Sequence, residues 1–398
     1  MPMESKHKEF IPSSGNLNWP AEQAKGSCTS FAGQASLEVE GCTINDGQNH
    51  KMKFTDATRT NVLLLLIAIA FIFSIYDVTS AQTTAKKKIV ILGLPDSAIA
   101  ELKRSAPQNV QIVTPQLSQV SAEMTDADAL ITPALTRDMV RNVTQLKWVQ
   151  ILNAGVEDIA PAFKNTDITL TNLKVVLGPE VADHAMALLL SLTRGLYQTI
   201  PARKWEQPRS VAQLTELNGK TAVIVGVGGV GTQIAQRANA FGMTIIGVDP
   251  KDALQPSFIK QMVKPDKMDS VLPQADVVFV TVPETPATKG MIGASQFKEM
   301  KQGAYFIVVS RGAVYSMDAL VEAMSSHHLA GAGLDVANPE PLPANHPIWK
   351  FENVVITPHI AGASDGSMTR VLELLKENIR HFAAGEPLLN VVDKEKGY

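Results

Sequence analysis

One stretch constrains the fold of this chain more than any other: an apolar run leads directly into a glycine-rich turn, which opens an amphipathic segment. The run Thr221–Val225 is apolar and rich in β-branched residues, which is typical of a buried parallel strand. Glycines follow at the spacing G-x-G-x-x-G over residues 226–231, and apolar residues then recur at helical spacing. A second apolar run, residues 243–248, ends at Asp249. The order strand, glycine turn, helix, strand and acid predicts a unit that binds a dinucleotide.

Five of the six residues of the turn have a predicted role. Gly226 permits the tight turn, Gly228 lets the backbone approach a pyrophosphate, and Gly231 lets the helix pack closely on the strand. The N–H groups of Gly229 and Val230 lie at the predicted helix N-terminus, where aligned peptide dipoles favour an anion. These five residues are therefore predicted to bind the cofactor.

Asp249 indicates which dinucleotide binds. It ends the second strand, where a carboxylate accepts hydrogen bonds from the ribose hydroxyls of the cofactor. A 2′-phosphate at this place would meet a like charge, which Lys251 offsets only in part. The sequence therefore favours NAD over NADP.

The chain on both sides of this unit alternates short apolar runs with longer helical stretches. Runs at residues 89–92, 129–131 and 148–152 precede it, and runs at residues 276–280 and 305–309 follow it. This alternation predicts an α/β protein with parallel sheets covered by helices. Between the two groups, residues 181–196 predict a long apolar helix, in which we expect His184 to be a packed core histidine.

The first 81 residues have a different character. Residues 1–51 are polar and lack apolar periodicity, which indicates disorder or a segment upstream of the true start codon. From Met52, a basic segment, the apolar run 62–76 and small residues ending at Ala81 follow in the order of a secretory signal peptide. This predicts an exported protein, periplasmic or secreted. The apolar run is short for a membrane span, which favours a signal peptide. Three lysines follow at residues 86–88 and oppose translocation, so a membrane anchor and a cytoplasmic protein stay open as alternatives.

Charge and cysteine content narrow the range of partners. The formal net charge of −3 at pH 7 gives no basic field for a polyanion, so we expect no nucleic-acid partner. The two cysteines, Cys28 and Cys42, are too few for a disulfide framework or a four-cysteine zinc site. The histidines lack the H-E-x-x-H spacing of a metal-binding helix, so we expect no metal.

Charged residues follow several later strands, at the edge where a parallel sheet binds its ligands. Arg311, Glu340 and His359 each come shortly after an apolar run. An imidazole transfers protons near neutral pH, a carboxylate orients it, and a guanidinium binds a carboxylate through two hydrogen bonds. Taken singly, such residues are most often ordinary surface or core residues. Of the eight histidines, His359 has the setting that best fits proton transfer.

These motifs occur together, and in the same order, in a known family. After the glycine turn come the segments 282–285, 310–312, 334–336, 340–342 and 358–359, which read VPET, SRG, LDV, EPL and PH. From residue 88 to residue 392 the chain resembles the D-isomer-specific 2-hydroxyacid dehydrogenases, including enzymes of the glyoxylate/hydroxypyruvate reductase type. The resemblance implies NAD(H)-dependent interconversion of a small 2-oxo acid and a D-2-hydroxy acid by an oxidoreductase that forms a homodimer.

The resemblance also implies roles for individual residues. The catalytic residues are Arg311, Glu340 and His359. The substrate is held by Arg311, His359 and the backbone N–H groups of Ala154, Gly155 and Val156. In addition to the glycine turn and Asp249, the cofactor site contains Pro283, Ser310, Arg311, Asp335 and Gly362.

Two Rossmann-like domains are implied in the same way. The NAD-binding domain, residues 181–357, is inserted into a discontinuous, flavodoxin-like substrate domain made of residues 82–180 and 358–398. The alternative function is a non-catalytic NAD-sensing binding protein of the same fold. The three catalytic residue types and the predicted export signal favour the enzyme.

Overall fold

The computed structural model describes residues 86–398, except residues 137–138, 140–142, 208–213 and 252–254. Residues 1–51 and the signal segment predicted at residues 52–81 lie outside the described residues, so export stays a prediction. Within the described ranges, we find no helix that combines the length and the apolarity needed to cross a membrane.

Five parallel strands form the first sheet, in the order β2-β1-β3-β4-β5. These strands are β1 (Lys87–Ile91), β2 (Val110–Val113), β3 (Ala129–Thr132), β4 (Trp148–Ile151) and β5 (Thr169–Thr171). Strands β3 and β4 are buried along their whole length, as expected for parallel strands covered on both faces. The strand order is that of a flavodoxin-like sheet.

Seven parallel strands form the second sheet, in the order β12-β11-β10-β9-β6-β7-β8. These strands are β6 (Thr221–Val225), β7 (Thr244–Val248), β8 (Gln261–Val263), β9 (Val277–Val280), β10 (Ala304–Val308), β11 (Leu329–Leu334) and β12 (Val354–Ile356). The order is that of a Rossmann sheet with one additional strand. Strand order reverses between β6 and β9, so the glycine turn after β6 lies at the topological switch point, where such sheets bind their ligands. The α/β prediction is confirmed.

Helices cover both sheets. The described α-helices are α1 (Asp96–Ser105), α2 (Val120–Met124), α3 (Gly178–Thr193), α4 (Leu196–Ala202), α5 (Gly229–Ala240), α6 (Ala294–Glu299), α7 (Met317–Ser325) and α8 (Ser367–Ala384). Helix α3 packs against the second sheet, where Leu189 shares a buried cluster with Ile224 and Phe279. The C-terminal helix α8 packs against the first sheet, where Leu375 shares a cluster with Ile89. The domain boundaries proposed from the sequence stay predictions.

The helix predicted at residues 181–196 differs from the observed one at both ends. Helix α3 begins earlier, at Gly178, and ends at Thr193. Gly195 then adopts a left-handed conformation with φ of 65°, which turns the chain before α4 begins. Apolar periodicity could not reveal this break, because Leu192 and Leu196, on either side of the turn, keep the four-residue spacing of a helix.

Candidate active site

The glycine turn has the geometry that its spacing predicts. Gly226 has a φ of 95°, a left-handed backbone that suits glycine alone. A Cβ at Gly231 would lie 1.9 Å from the carbonyl oxygen of Gly226, so the close approach of strand and helix requires glycine there. Gly228 directly precedes α5, and a Cβ at this residue would have no described heavy atom within 4 Å. The backbone of Gly228 is therefore open to an incoming anion at the helix N-terminus.

Two alanine substitutions separate the structural glycine from the binding glycine. We expect Gly231→Ala to destabilise the protein by about 1–3 kcal/mol, because the new Cβ collides with backbone. We expect Gly228→Ala to keep the stability of the protein but to weaken NADH binding, because the new Cβ would enter the space predicted for the pyrophosphate. Thermal unfolding and NADH fluorescence titration measure the two effects. Equal loss of stability in both variants would contradict this division of roles.

Asp249 follows β7 and lies against the turn. Its Oδ2 accepts a hydrogen bond from the N–H of Val227 at 2.9 Å, and its Oδ1 accepts one from the N–H of Lys251 at 2.8 Å. These contacts fix the carboxylate beside the glycine turn while leaving further lone pairs for ribose hydroxyls. The ammonium group of Lys251 lies 5.6 Å from the ring centroid of Tyr398, within reach of a cation–π contact.

Asp335, at the end of β11, organises the loop that carries His359. Its Oδ1 accepts hydrogen bonds from the Thr357 hydroxyl at 2.6 Å and the Ile360 N–H at 3.0 Å. Its Oδ2 accepts one from the N–H of Ala361 at 3.0 Å, and its backbone carbonyl accepts one from the N–H of His359 at 2.9 Å. His359 has a φ of 54°, a conformation that is costly for a residue other than glycine. The hydrogen bonds to Asp335 hold the loop in this conformation.

His184 is not the packed core histidine that the helix pattern predicts. Its side chain is 21% exposed, and its Nε2 lies 2.8 Å from the Thr357 hydroxyl and 3.4 Å from Oδ1 of Asp335. Burial alone would raise the pKa of Asp335, but hydrogen bonds from His184, Thr357 and the N–H groups of residues 361 and 360 outweigh it and lower that pKa. Asp335 is therefore held as a carboxylate. The prediction for His184 is wrong because the partners of its ring, Thr357 and Asp335, lie far along the chain, where a local helix pattern does not indicate them.

His359 and Glu340 are in direct contact. Nδ1 of His359 lies 2.9 Å from Oε2 of Glu340, and the other carboxylate oxygen of Glu340 accepts a hydrogen bond from the N–H of Ala337 at 2.9 Å. The side chain of His359 is 47% exposed. Because Glu340 engages Nδ1, the Nε2 atom is left to face a ligand.

Arg311 is positioned by the loops of both sheets. Its Nη1 donates to the carbonyl of Ser310 at 2.8 Å, and its Nε lies 3.1 Å from Oε1 of Glu157. A Cβ at Gly155 would lie 1.6 Å from Nη2 of Arg311, so the guanidinium rests directly against the backbone of that loop. The loop after β4 and the loop after β10 therefore meet at Arg311.

The loop after β10 also touches the loop that carries Glu340. A Cβ at Gly312 would lie 1.8 Å from the carbonyl oxygen of Ala337, the residue whose N–H donates to Glu340. A continuous series of contacts thus links Arg311, through Gly312 and Ala337, to Glu340 and His359. The loops that carry the three residues predicted to be catalytic are therefore adjacent at one edge of the second sheet.

The remaining predicted site residues occupy the same loops. Val156 is buried, whereas the N–H of Ala154 donates to Oδ1 of its neighbour Asn153 at 2.7 Å. The Ala154 N–H is therefore free for a substrate only when Asn153 turns away. Pro283 follows β9 and accepts a hydrogen bond from the Thr288 hydroxyl at 2.5 Å. Gly362 follows directly on the loop organised by Asp335.

Polar groups that lack a partner within the chain make the site suited to a dinucleotide. The Ser310 hydroxyl is buried and has no hydrogen-bond partner among the described residues. A buried polar atom without a partner is costly, so a ligand group that pairs with it gains binding energy. Together with the open backbone at Gly228, this hydroxyl offers a second contact to a cofactor along the switch-point edge. The residues described here contain no group of three or more His, Cys, Asp or Glu side chains suited to a metal ion.

Comparison with known proteins gives the family. A sequence model of the D-isomer specific 2-hydroxyacid dehydrogenase, NAD binding domain, matches residues 186–361. The glyoxylate reductase of Thermofilum pendens is 32% identical over 290 residues, which cover 71% of this chain and 86% of that protein. The chain belongs to the D-isomer specific 2-hydroxyacid dehydrogenase family.

Solved structures of the family have the same fold. A D-isomer specific 2-hydroxyacid dehydrogenase from Xanthobacter autotrophicus Py2, in complex with NADPH and MES, is 25% identical with a TM-score of 0.68, covering 79% of this chain and 100% of that one. The D-lactate dehydrogenase from Aquifex aeolicus, complexed with NAD and lactic acid, is 25% identical with a TM-score of 0.61, covering 75% and 96% of the two chains. The match of residues 186–361 to the NAD binding domain of the family shows that this chain has an NAD(P)-binding domain.

Sequence reasoning missed three polar residues of this candidate site: Glu157, His184 and Thr357. The sequence does contain a signal for Glu157. This acid directly follows residues 154–156, in a loop at the sheet edge where ligands bind. Thr357 and His184 gave no comparable signal, because their importance comes from contacts with Asp335.

Proposed function

We propose that this chain is an NAD(H)-dependent oxidoreductase that reduces a small 2-oxo acid to a D-2-hydroxy acid and catalyses the reverse reaction. The contact that carries the proposal is that between His359 and Glu340, placed on the loops beside Arg311. A proton-transfer group and a carboxylate-binding group are the two functions that this chain must supply for such a reaction. The bound nicotinamide supplies the hydride.

Arg311 is proposed to bind the substrate carboxylate. Its guanidinium offers a planar fork of donors, which the ammonium of a lysine does not reproduce. The neighbouring N–H groups of Gly155 and Val156 add contacts from the first sheet. These groups orient the carbonyl carbon of the substrate and exclude water from it.

His359 is proposed to be the general acid in reduction and the general base in oxidation. In reduction, Nε2–H donates its proton to the carbonyl oxygen as negative charge develops there, and Glu340 stabilises and orients the ring through Nδ1. In oxidation, neutral Nε2 accepts the proton of the hydroxyl. Asp335 maintains the loop conformation that this geometry requires.

Steady-state turnover tests the proposal. We expect the purified protein to oxidise NADH in the presence of at least one of glyoxylate, hydroxypyruvate and phenylpyruvate. NADH binding without turnover of any 2-oxo acid in a broad panel would instead support the non-catalytic NAD-sensing protein.

Asp249 is proposed to give a preference for NAD over NADP. We expect Asp249→Ala to lower the ratio of kcat/KM for NADH to that for NADPH by about tenfold, because it removes the charge that repels a 2′-phosphate. Asp249→Asn is the matched control: it keeps the size of the side chain and separates charge from hydrogen bonding. An unchanged cofactor ratio in both variants would contradict the ribose assignment.

Assembly and location complete the proposal. We propose a homodimer, which light scattering of the purified protein tests. We also propose export through a signal peptide that starts near Met52, and N-terminal sequencing of the native protein tests it. A native N-terminus within residues 1–51 would contradict the proposed start.

A further inference from the structure

Arg311 already has a carboxylate partner within the chain. Its Nε lies 3.1 Å from Oε1 of Glu157, and the two side chains are only 24% and 21% exposed. Glu157 follows β4 of the first sheet, whereas Arg311 follows β10 of the second sheet. The ion pair therefore joins the two loops between which the substrate is proposed to bind.

Glu157 lies on the side of the guanidinium that a substrate carboxylate would use. The opposite side is engaged, because Nη1 donates to the carbonyl of Ser310. A Cβ built on Gly155 would meet Nη2 of Arg311 at 1.6 Å and Oε2 of Glu157 at 2.6 Å, so both groups converge on one point of the loop. The Nε and Nη2 atoms form the edge that binds carboxylates in a bidentate manner. Glu157 contacts this edge.

We infer that Glu157 sets the affinity of the enzyme for its substrate: it is an internal carboxylate that competes with the substrate carboxylate for Arg311. The inference rests on the proposed function of Arg311. A substrate either displaces Glu157 from the guanidinium or shares it, and in both cases two negative charges oppose each other in a partly buried site. Such a site is screened weakly by salt. The negative charge of Glu157 therefore weakens the binding of every anionic substrate and raises the KM.

A positioning role for Glu157 makes the opposite prediction. If Glu157 served mainly to orient Arg311, its removal would leave the guanidinium misplaced and would lower kcat. If it competes, removal of its charge leaves kcat in place and lowers KM. The separation of KM from kcat therefore distinguishes the two roles.

The test compares Glu157→Gln with Asp158→Asn in the full 398-residue chain. Both substitutions remove one negative charge from the same loop, but Asp158 is an exposed neighbour. The measurements are KM and kcat for glyoxylate and hydroxypyruvate, and the Kd of oxamate, a 2-oxo acid analogue, for the enzyme–NADH complex. Glu157→Ala, which also removes the charge, is the second variant if the glutamine variant fails to fold.

We expect Glu157→Gln to lower KM and the oxamate Kd by about tenfold, with kcat within about twofold of the wild-type value. Asp158→Asn should leave all three unchanged. An unchanged or raised KM in a wild-type-like fold would overturn the inference while leaving the proposed function intact. Absence of wild-type turnover with every 2-oxo acid would overturn both.

Discussion

Replacement of His359 by glutamine should reduce kcat by about 10²–10⁴-fold, while the Kd for NADH stays within about twofold of the wild-type value. Glutamine keeps a polar side chain of similar reach, but it neither donates nor accepts a proton at neutral pH. The groups proposed to hold the cofactor lie in other residues: the glycine turn, Asp249 and Ser310. Stopped-flow reduction of a 2-oxo acid and NADH fluorescence titration measure the two quantities.

His327→Gln is the matched control for this substitution. His327 is exposed and also has a left-handed backbone, with φ of 53° against 54° for His359. The control therefore reproduces the backbone cost of replacing a histidine in this conformation. Loss of NADH binding in His359→Gln, or turnover close to that of wild type, would show that the imidazole has another role.

Replacement of Arg311 by lysine should lower kcat/KM by about 10²–10³-fold, although the charge is kept. One or two charge-assisted hydrogen bonds, each worth about 1.5–3 kcal/mol, are lost with the planar fork. The ammonium also cannot contact the carbonyl of Ser310 while it offers two parallel donors to a substrate carboxylate. Steady-state kinetics with the preferred 2-oxo acid measures the loss.

The same change at Arg237 controls for the general effect of an arginine-to-lysine substitution. Arg237 pairs with Asp183 at 2.7 Å, on helix α5 and away from the loops that hold Arg311. Arg237→Lys should keep kcat/KM within about twofold of the wild-type value. If Arg311→Lys were equally mild, the bidentate binding of substrate would be contradicted.

Local sequence patterns predicted the parts of this fold that depend on neighbours in the chain. The turn at residues 226–231 is such a part, because the glycine spacing, the preceding strand and the following helix all lie within a short segment. The contact between His359 and Glu340 was foreseen through the resemblance and through the strand-end positions of both residues. The distance of 2.9 Å between Nδ1 of His359 and Oε2 of Glu340 is known only from the structure.

Contacts between distant segments were beyond sequence reasoning. His184 has an apolar helical neighbourhood, yet its partner Thr357 is 173 positions away. Glu157 and Arg311 come from different sheets, and no local pattern indicates that they pair. Gly155 is predicted to bind substrate through its N–H, but no local pattern indicates that the guanidinium of Arg311 lies against its backbone. The neighbours of Glu157 and Gly155 are set by how the two sheets are placed together, and those of His184 by how helix α3 packs on the second sheet.

Transfer of deuterium from the cofactor tests the central proposal most directly. The protein is incubated with hydroxypyruvate and NADH deuterated at both C4 positions of the nicotinamide, and the product is analysed by mass spectrometry and chiral chromatography. The account predicts a D-2-hydroxy acid with one deuterium at C2, formed far more slowly by His359→Gln. A product without deuterium, or of the opposite configuration, would contradict it.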